Sequence, residues 1–328
     1  MKKLFLSLCL LFMFHPAILF SQTSGYKVSG LIKLGGKGWW DYTAVDVPVH
    51  RLYVSHNTKV NVIDLKTNTV VGEISNLKGA HGIAFADEFG KGFISNGKNS
   101  SVTVFDLKTL KTIDILHVTG KGPDAIVYEP FTHRVFSFNE ISDNVTAIDA
   151  ETDKVIGTII LDGRPEFLVS NNKGLMFVNL GNKNQIEEFS AITLKKIAEY
   201  PLSPGKEPTG LAMDVSHGIL FSGCNNKLMT ILNAATGKII TTLPIGGSVD
   251  ACAFDPVTKL AFSSNGEGTL TVIKEISPIV FKIVDNIATS KGLRTMALDP
   301  TNHNVYLIGM LGGKNHSKSF GVLVLEKD

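Results

Sequence analysis

The chain has 328 residues, 19% of them charged and 44% hydrophobic, which excludes a disordered or fibrous chain and is enough for a substantial core. Lys and Arg number 32 against 30 Asp and Glu; residues 1–21 hold two lysines and no acid, so the remainder balances at 30 against 30. That balance implies no strongly basic surface, and nucleic acid is not an expected partner.

In chain order, Lys2 and Lys3 precede the apolar run Leu4 to Phe14, and Leu19-Phe20-Ser21 leads to Gln22. This is the pattern of a secretory signal peptide over residues 1–21, too short for a membrane span and broken by His15-Pro16. The expected mature protein is residues 22–328, exported to the periplasm, the cell surface or the medium. Residues 26–34 then read as a strand with no repeat of its own.

From there one phrase recurs. Aligned on the aromatic of its second apolar run (Tyr53, Phe93, Phe136, Phe177, Phe221, Phe262, Tyr306), the repeat advances by 40, 43, 41, 44, 41 and 44 residues. A period in the forties with no helical stretch predicts an all-β, seven-bladed β-propeller of four-stranded antiparallel blades. Each unit opens with a short apolar strand such as "AIVY" and turns at an acid, often before proline, as at Glu129-Pro130, Asp255-Pro256 and Asp299-Pro300. It continues through a second strand ending in Ser or Asn. A third strand, "VNVIDLKT" (60–67), "VTVFDLKT" (102–109) or "VTAIDAET" (145–152), carries Asp-x-x-Thr into a hairpin. The seventh repeat supplies only three strands, so residues 26–34 should complete its blade and latch the ring as a single domain.

Antiparallel strands bring the start of each first strand and the end of each second strand to one face. The first set is Asp41, His81, Asp124, Glu166, Thr209, Asp250 and Arg294. The second includes His56, Asn139 and Glu140, Cys224 and Asn225. Carboxylates, amides and imidazole around a narrow hub suit Ca²⁺ or Mg²⁺, with Asp124, Glu166 and Asp250 the expected ligands; His81 and His56 would favour a transition metal. Trp39 and Trp40, beside Asp41, are candidates for stacking on a ring-shaped or sugar ligand. The loop 309–321 carries Lys314, His316 and Lys318 over the same face. Cys224 and Cys252 have no metal-ligand spacing and read as buried small residues, with a disulfide as the alternative.

No Gly-x-Ser-x-Gly, His-Glu-x-x-His or Cys-x-x-Cys-His pattern is present. The motifs "LYVSHN" (52–57), "GFISNG" (92–97), "RVFSFN" (134–139) and "LAFSSN" (260–265), with the "VxVIDxxT" hairpin, resemble the YVTN family of bacterial β-propellers over essentially the whole mature chain. The resemblance implies an exported binding or scaffolding role. The favoured reading is a monomeric, non-catalytic propeller binding a small molecule, glycan or protein at the hub mouth through Trp39, Trp40, Asp41, His81, Asp124, Asn139, Glu166, Asp250 and Arg294. The alternative is a metal-assisted hydrolase or lyase. Similarity to lactonase-like and streptogramin-lyase-like propellers makes lactone hydrolysis and elimination the reactions to test, with His81 or His56 as acid/base and Arg294 as oxyanion contact.

Overall fold

A computed structural model describes residues 24–36, 38–311 and 319–328; the expected signal peptide and the lysines and histidine of the 309–321 loop lie outside them. Seven sheets of four antiparallel strands form a ring. Blades 1 to 6 run in chain order, and their innermost strands are Trp40–Asp46, Ala80–Ala86, Pro123–Glu129, Pro165–Ser170, Pro208–Asp214 and Val249–Asp255. Blade 7 takes Thr295–Leu298, Val305–Leu311 and Ser319–Lys327 from the C-terminal end and β1, Tyr26–Lys33, from the other. No helix among the described residues is long and apolar enough to cross a membrane.

The turns form for local reasons. Asp64 Oδ1 accepts the Lys66 and Thr67 amides at 2.8 and 2.9 Å; Asp149 Oδ1 accepts the Thr152 amide at 2.8 Å and its hydroxyl at 2.7 Å. At the same end of the blades Glu129, Asp255 and Asp299, all fully buried, bond the turns that follow them. The seven aligned aromatics are 2% exposed or less and pack between adjacent sheets. A blade buries apolar side chains on both faces, so each is stable only against two neighbours.

That makes closure decisive. β1 pairs with Ser319–Lys327 from Tyr26↔Lys327 to Lys33↔Gly321. Tyr26 packs edge-on against Phe262 of blade 6 at 5.2 Å and donates its hydroxyl to His303 O at 2.6 Å. Ile32 joins a cluster with Leu52 and Val54 of blade 1 and Tyr306 of blade 7. Cys224 and Cys252 are free, buried thiols, so the disulfide alternative is not the one observed. Deleting residues 22–35 is expected to lower stability by about 3–6 kcal/mol, the burial of two large side chains, and Tyr26→Ala alone by about 3 kcal/mol. Denaturant unfolding checks both; an unchanged midpoint in the deletion would show that the ring holds without β1.

Candidate functional site

Six of the seven innermost strands break register at the same place. The pairing slips between Trp40 and Thr43, Ala80 and Ile83, Pro123 and Ile126, Pro165 and Leu168, Pro208 and Leu211, and Val249 and Ala251. Asp41, His81, Asp124, Glu166, Thr209 and Asp250 sit in these irregularities, and Arg294 lies just before the seventh strand. An extra residue in one strand of a pair re-aims its side chain. All seven residues line one cavity of about 410 Å³ at the hub mouth.

A bulge frees backbone groups that must find partners. The Gly82 amide donates to Ser95 Oγ at 2.9 Å and the Asp41 amide to Ser55 Oγ at 3.3 Å. Ser95 Oγ also donates to the Asp124 carbonyl of the next blade, and Ser264 Oγ to that of Arg294. Asn179 Nδ2 does the same for Thr209 O at 2.9 Å. The recurring Ser or Asn therefore fastens the mouth residue of its neighbour.

Three consecutive blades meet at His81. Its Nδ1 lies 2.5 Å from Asp41 Oδ2 and 2.9 Å from Asp124 Oδ1, and the Tyr42 hydroxyl donates to Asp124 Oδ2 at 3.2 Å. The Trp39 ring lies against the His81 ring, tilted by 45° with centroids 4.7 Å apart. Burial alone would lower the His81 pKa; the hydrogen bonds to Asp124 and Asp41 outweigh it and push it up to about 10. Burial raises Asp41 against the pull of His81. Further round the ring, Glu166 pairs with Arg164 at 2.9 Å, yet burial still pushes it up to about 7. Asp250 accepts the Thr295 hydroxyl at 2.6 Å, 3.6 Å from Arg294 Nε, and burial raises it too.

The metal ligands named from sequence, Asp124, Glu166 and Asp250, are not gathered into one group, because they come from blades 3, 4 and 6. The group that assembles is Asp41, His81 and Asp124, whose ligand atoms lie within 4.8 Å of one another. His56, Trp40 and Asn139 do not line the cavity. His56 and Trp40 pack on Phe320 at 4.3 and 5.3 Å between the first and last blades, and Asn139 bonds Asn144 and Thr146 inside blade 3. The last residue of each second strand is buried in the sheet, and in blades 3 and 5 the residue after it, Glu140 or Asn225, lines the cavity. Arg164, Tyr42 and Phe167 escaped the sequence reading. Tyr42 of blade 1 and Phe167 of blade 4 touch at 4.9 Å although their blades are not neighbours, so they block the channel and give the cavity a floor. Their signal was size: the residue after each mouth residue is otherwise Gly82, Ala125, Gly210, Ala251 or Thr295.

No family model matches the chain. Antigen Lp49 of Leptospira interrogans is 31% identical over 99 residues, 30% of this chain and 20% of the antigen. A chain of the mitotic checkpoint complex superimposes with a TM-score of 0.74 at 14% identity, over 98% of each chain. A chain of the hydrazine synthase of Kuenenia stuttgartiensis gives 0.70 at 15% identity, over 86% of this chain and 94% of that one. At such identities the likeness shows the fold alone.

The raised groups set a pH dependence. Asp41 and Glu166 hold protons that unfolded carboxyls have released, so stability falls as pH climbs from about 4 to about 7. His81 stabilises fully below its ordinary value of 6.5, and that stabilisation is lost as pH rises through about 10. Urea midpoints should decline from pH 5 to 9.5. His81→Gln should flatten the part above pH 7; an equally steep upper limb in that variant would refute the His81 assignment.

Proposed function

We propose that the protein is exported after loss of residues 1–21, belongs with the YVTN-like propellers, and binds a divalent cation with a small polar ligand at its hub mouth without chemical turnover. The observation that carries the reading is convergence: Asp41, Asp124, Glu140, Glu166 and Asp250 line the same cavity, where His81 and Arg294 are the lining positive groups. Buried like charges raise one another's free energy, and a cation among them relieves it. Asp41 Oδ2, His81 Nδ1 and Asp124 Oδ1 supply one nitrogen and two oxygens, a donor set for Zn²⁺ or Mn²⁺. This replaces Ca²⁺ or Mg²⁺ as the favoured ion, since an imidazole is not their ligand of choice. Arg294, elsewhere on the wall, offers hydrogen bonds to oxygens of the ligand, and Trp39, against His81, offers an aromatic face for a glycan or a partner's side chain. Export rests on the N-terminal pattern, and the match to an antigen is in keeping with it.

Calorimetric titration with Mn²⁺, Zn²⁺ and Ca²⁺ tests the site. Asp124→Asn and His81→Ala should each weaken transition-metal binding by more than about tenfold. Equal binding in wild type and both variants would remove the hub ion from the reading.

A second reading has an observation of its own. Glu166, near pH 7, and His81 have shifted pKa values in one cleft, a mark of acid–base catalysis. On that reading Glu166 or His81 would move the proton, taken from water in lactone hydrolysis or from carbon in elimination, and a cation held by Asp41, His81 and Asp124 would supply Lewis-acid polarisation of a substrate oxygen. A lactone and lyase screen decides: turnover that falls by about 10²-fold or more in Glu166→Gln and His81→Ala would install catalysis.

A further inference from the structure

Glu275 breaks the repeat. In blades 1 to 5 the amide after the third strand's last paired residue donates to the turn before the second strand, and the residue that carries it is Leu65, Leu107, Ala150, Ala191 or Ala234. Blade 6 makes the same bond from Glu275 to Lys259 O. An acid thus occupies a position that five other blades give to an aliphatic side chain, and it is only 4% exposed. Such a burial costs several kcal/mol unless the charge is met.

What meets it lies at the boundary with blade 5. His217 Nδ1 stands 2.9 Å from Glu275 Oε1 and 2.6 Å from Asp214 Oδ2. Asp214, 1% exposed, is held by its other oxygen, which accepts the Ser216 amide at 2.9 Å and hydroxyl at 2.6 Å. Lys259 Nζ is 3.4 Å from Asp214 Oδ2 and brings one positive charge to two carboxylates. Glu275 Oε2 is buried with no hydrogen-bond partner. His217 is 39% exposed and lines a groove of about 480 Å³ with Ile240 and Ile279, so the cluster can be reached from solvent.

We propose that Asp214, His217 and Glu275 form a divalent-metal site of the zinc class on the face opposite the hub mouth. The three ligand atoms lie within 4.8 Å of one another. One imidazole nitrogen and two carboxylate oxygens are a zinc donor set that leaves a coordination position open. Ser216 supplies the outer hydrogen bonds that orient a ligating carboxylate. Asp214 ends the strand that Thr209 opens, so the site is about 17 Å from the hub at the usual rise per residue. It does not depend on the hub reading.

The test is zinc binding by the purified protein, stripped with a chelator and titrated against a chromophoric competitor. The hub variant Asp124→Asn is compared with wild type and with Glu275→Leu and Glu275→Gln, each made on the Asp124→Asn background so that the hub does not contribute. The Asp124→Asn protein should take up one equivalent of Zn²⁺ that Ca²⁺ does not displace. Both Glu275 variants should lose that equivalent, with Kd rising more than about 100-fold, beyond the loss expected from an outer-sphere change. On that background Glu275→Leu should melt no lower than Asp124→Asn without metal, because Leu and Ala fill the same position in other blades; Glu275→Gln keeps the shape if it does not. Zinc retained by both Glu275 variants, or no zinc bound by Asp124→Asn, overturns the assignment.

Discussion

A propeller blade is apolar on both faces, and that requirement governs the rest of the molecule. Six blades are each completed by one continuous stretch of chain. The seventh is not: its outer strand comes from the opposite terminus, so the two ends of the chain meet in one sheet. Tyr26 touches blade 6 and Ile32 joins the cluster shared with blade 1. One short strand thus closes both seams of the last blade. A ring of this kind leaves only the short outer edges of its blades, and its hub is held at a fixed width.

Fixed width is what makes the mouth a site. Seven inner strands bring seven side chains to one place, but an inner strand of regular pleat would turn half of them into the sheet. The bulge at the start of six strands aims the side chain inward, and the Ser or Asn of the second strand takes up backbone groups near the irregularity. Fastening and cavity-lining positions are therefore adjacent in the repeat. Ser95 is a fastener; Asp124, whose carbonyl it holds, lines the cavity.

This explains what could be read from the amino acids alone. The period, the buried aromatics, the Asp-x-x-Thr hairpins and the orphan strand are all local patterns repeated many times, so chance cancels. The mouth residues were legible for the same reason, since they hold one position in every repeat. The bulges have no composition signal, and they decide orientation. Without them His56 and Asn139 seem to point at the hub, whereas they end strands whose last side chain faces the sheet. Trp39 and Trp40 separate because Trp39 precedes the strand and lies against His81, whereas Trp40 opens it and turns to Phe320. The metal trio was a matter of ring order: Asp41, His81 and Asp124 come from three consecutive blades and meet, whereas Asp124, Glu166 and Asp250 are spread over blades 3, 4 and 6 and are not gathered into one group.

The two histidine clusters follow one construction. At the hub, His81 stands between carboxylates of blades 1 and 3; on the far face, His217 stands between Asp214 of blade 5 and Glu275 of blade 6. In each case Nδ1 faces two acids within 2.9 Å, so a single ring proton serves two acceptors and one carboxylate is left under-compensated. A fold selected for stability alone would have placed alanine or leucine there, as five blades do opposite Glu275. Each cluster lies across a blade boundary, and a repeat array depends on such nearest-neighbour contacts for its stability. A cation that binds either one ties two sheets together, so occupancy and the rigidity of the ring are linked through the same few side chains.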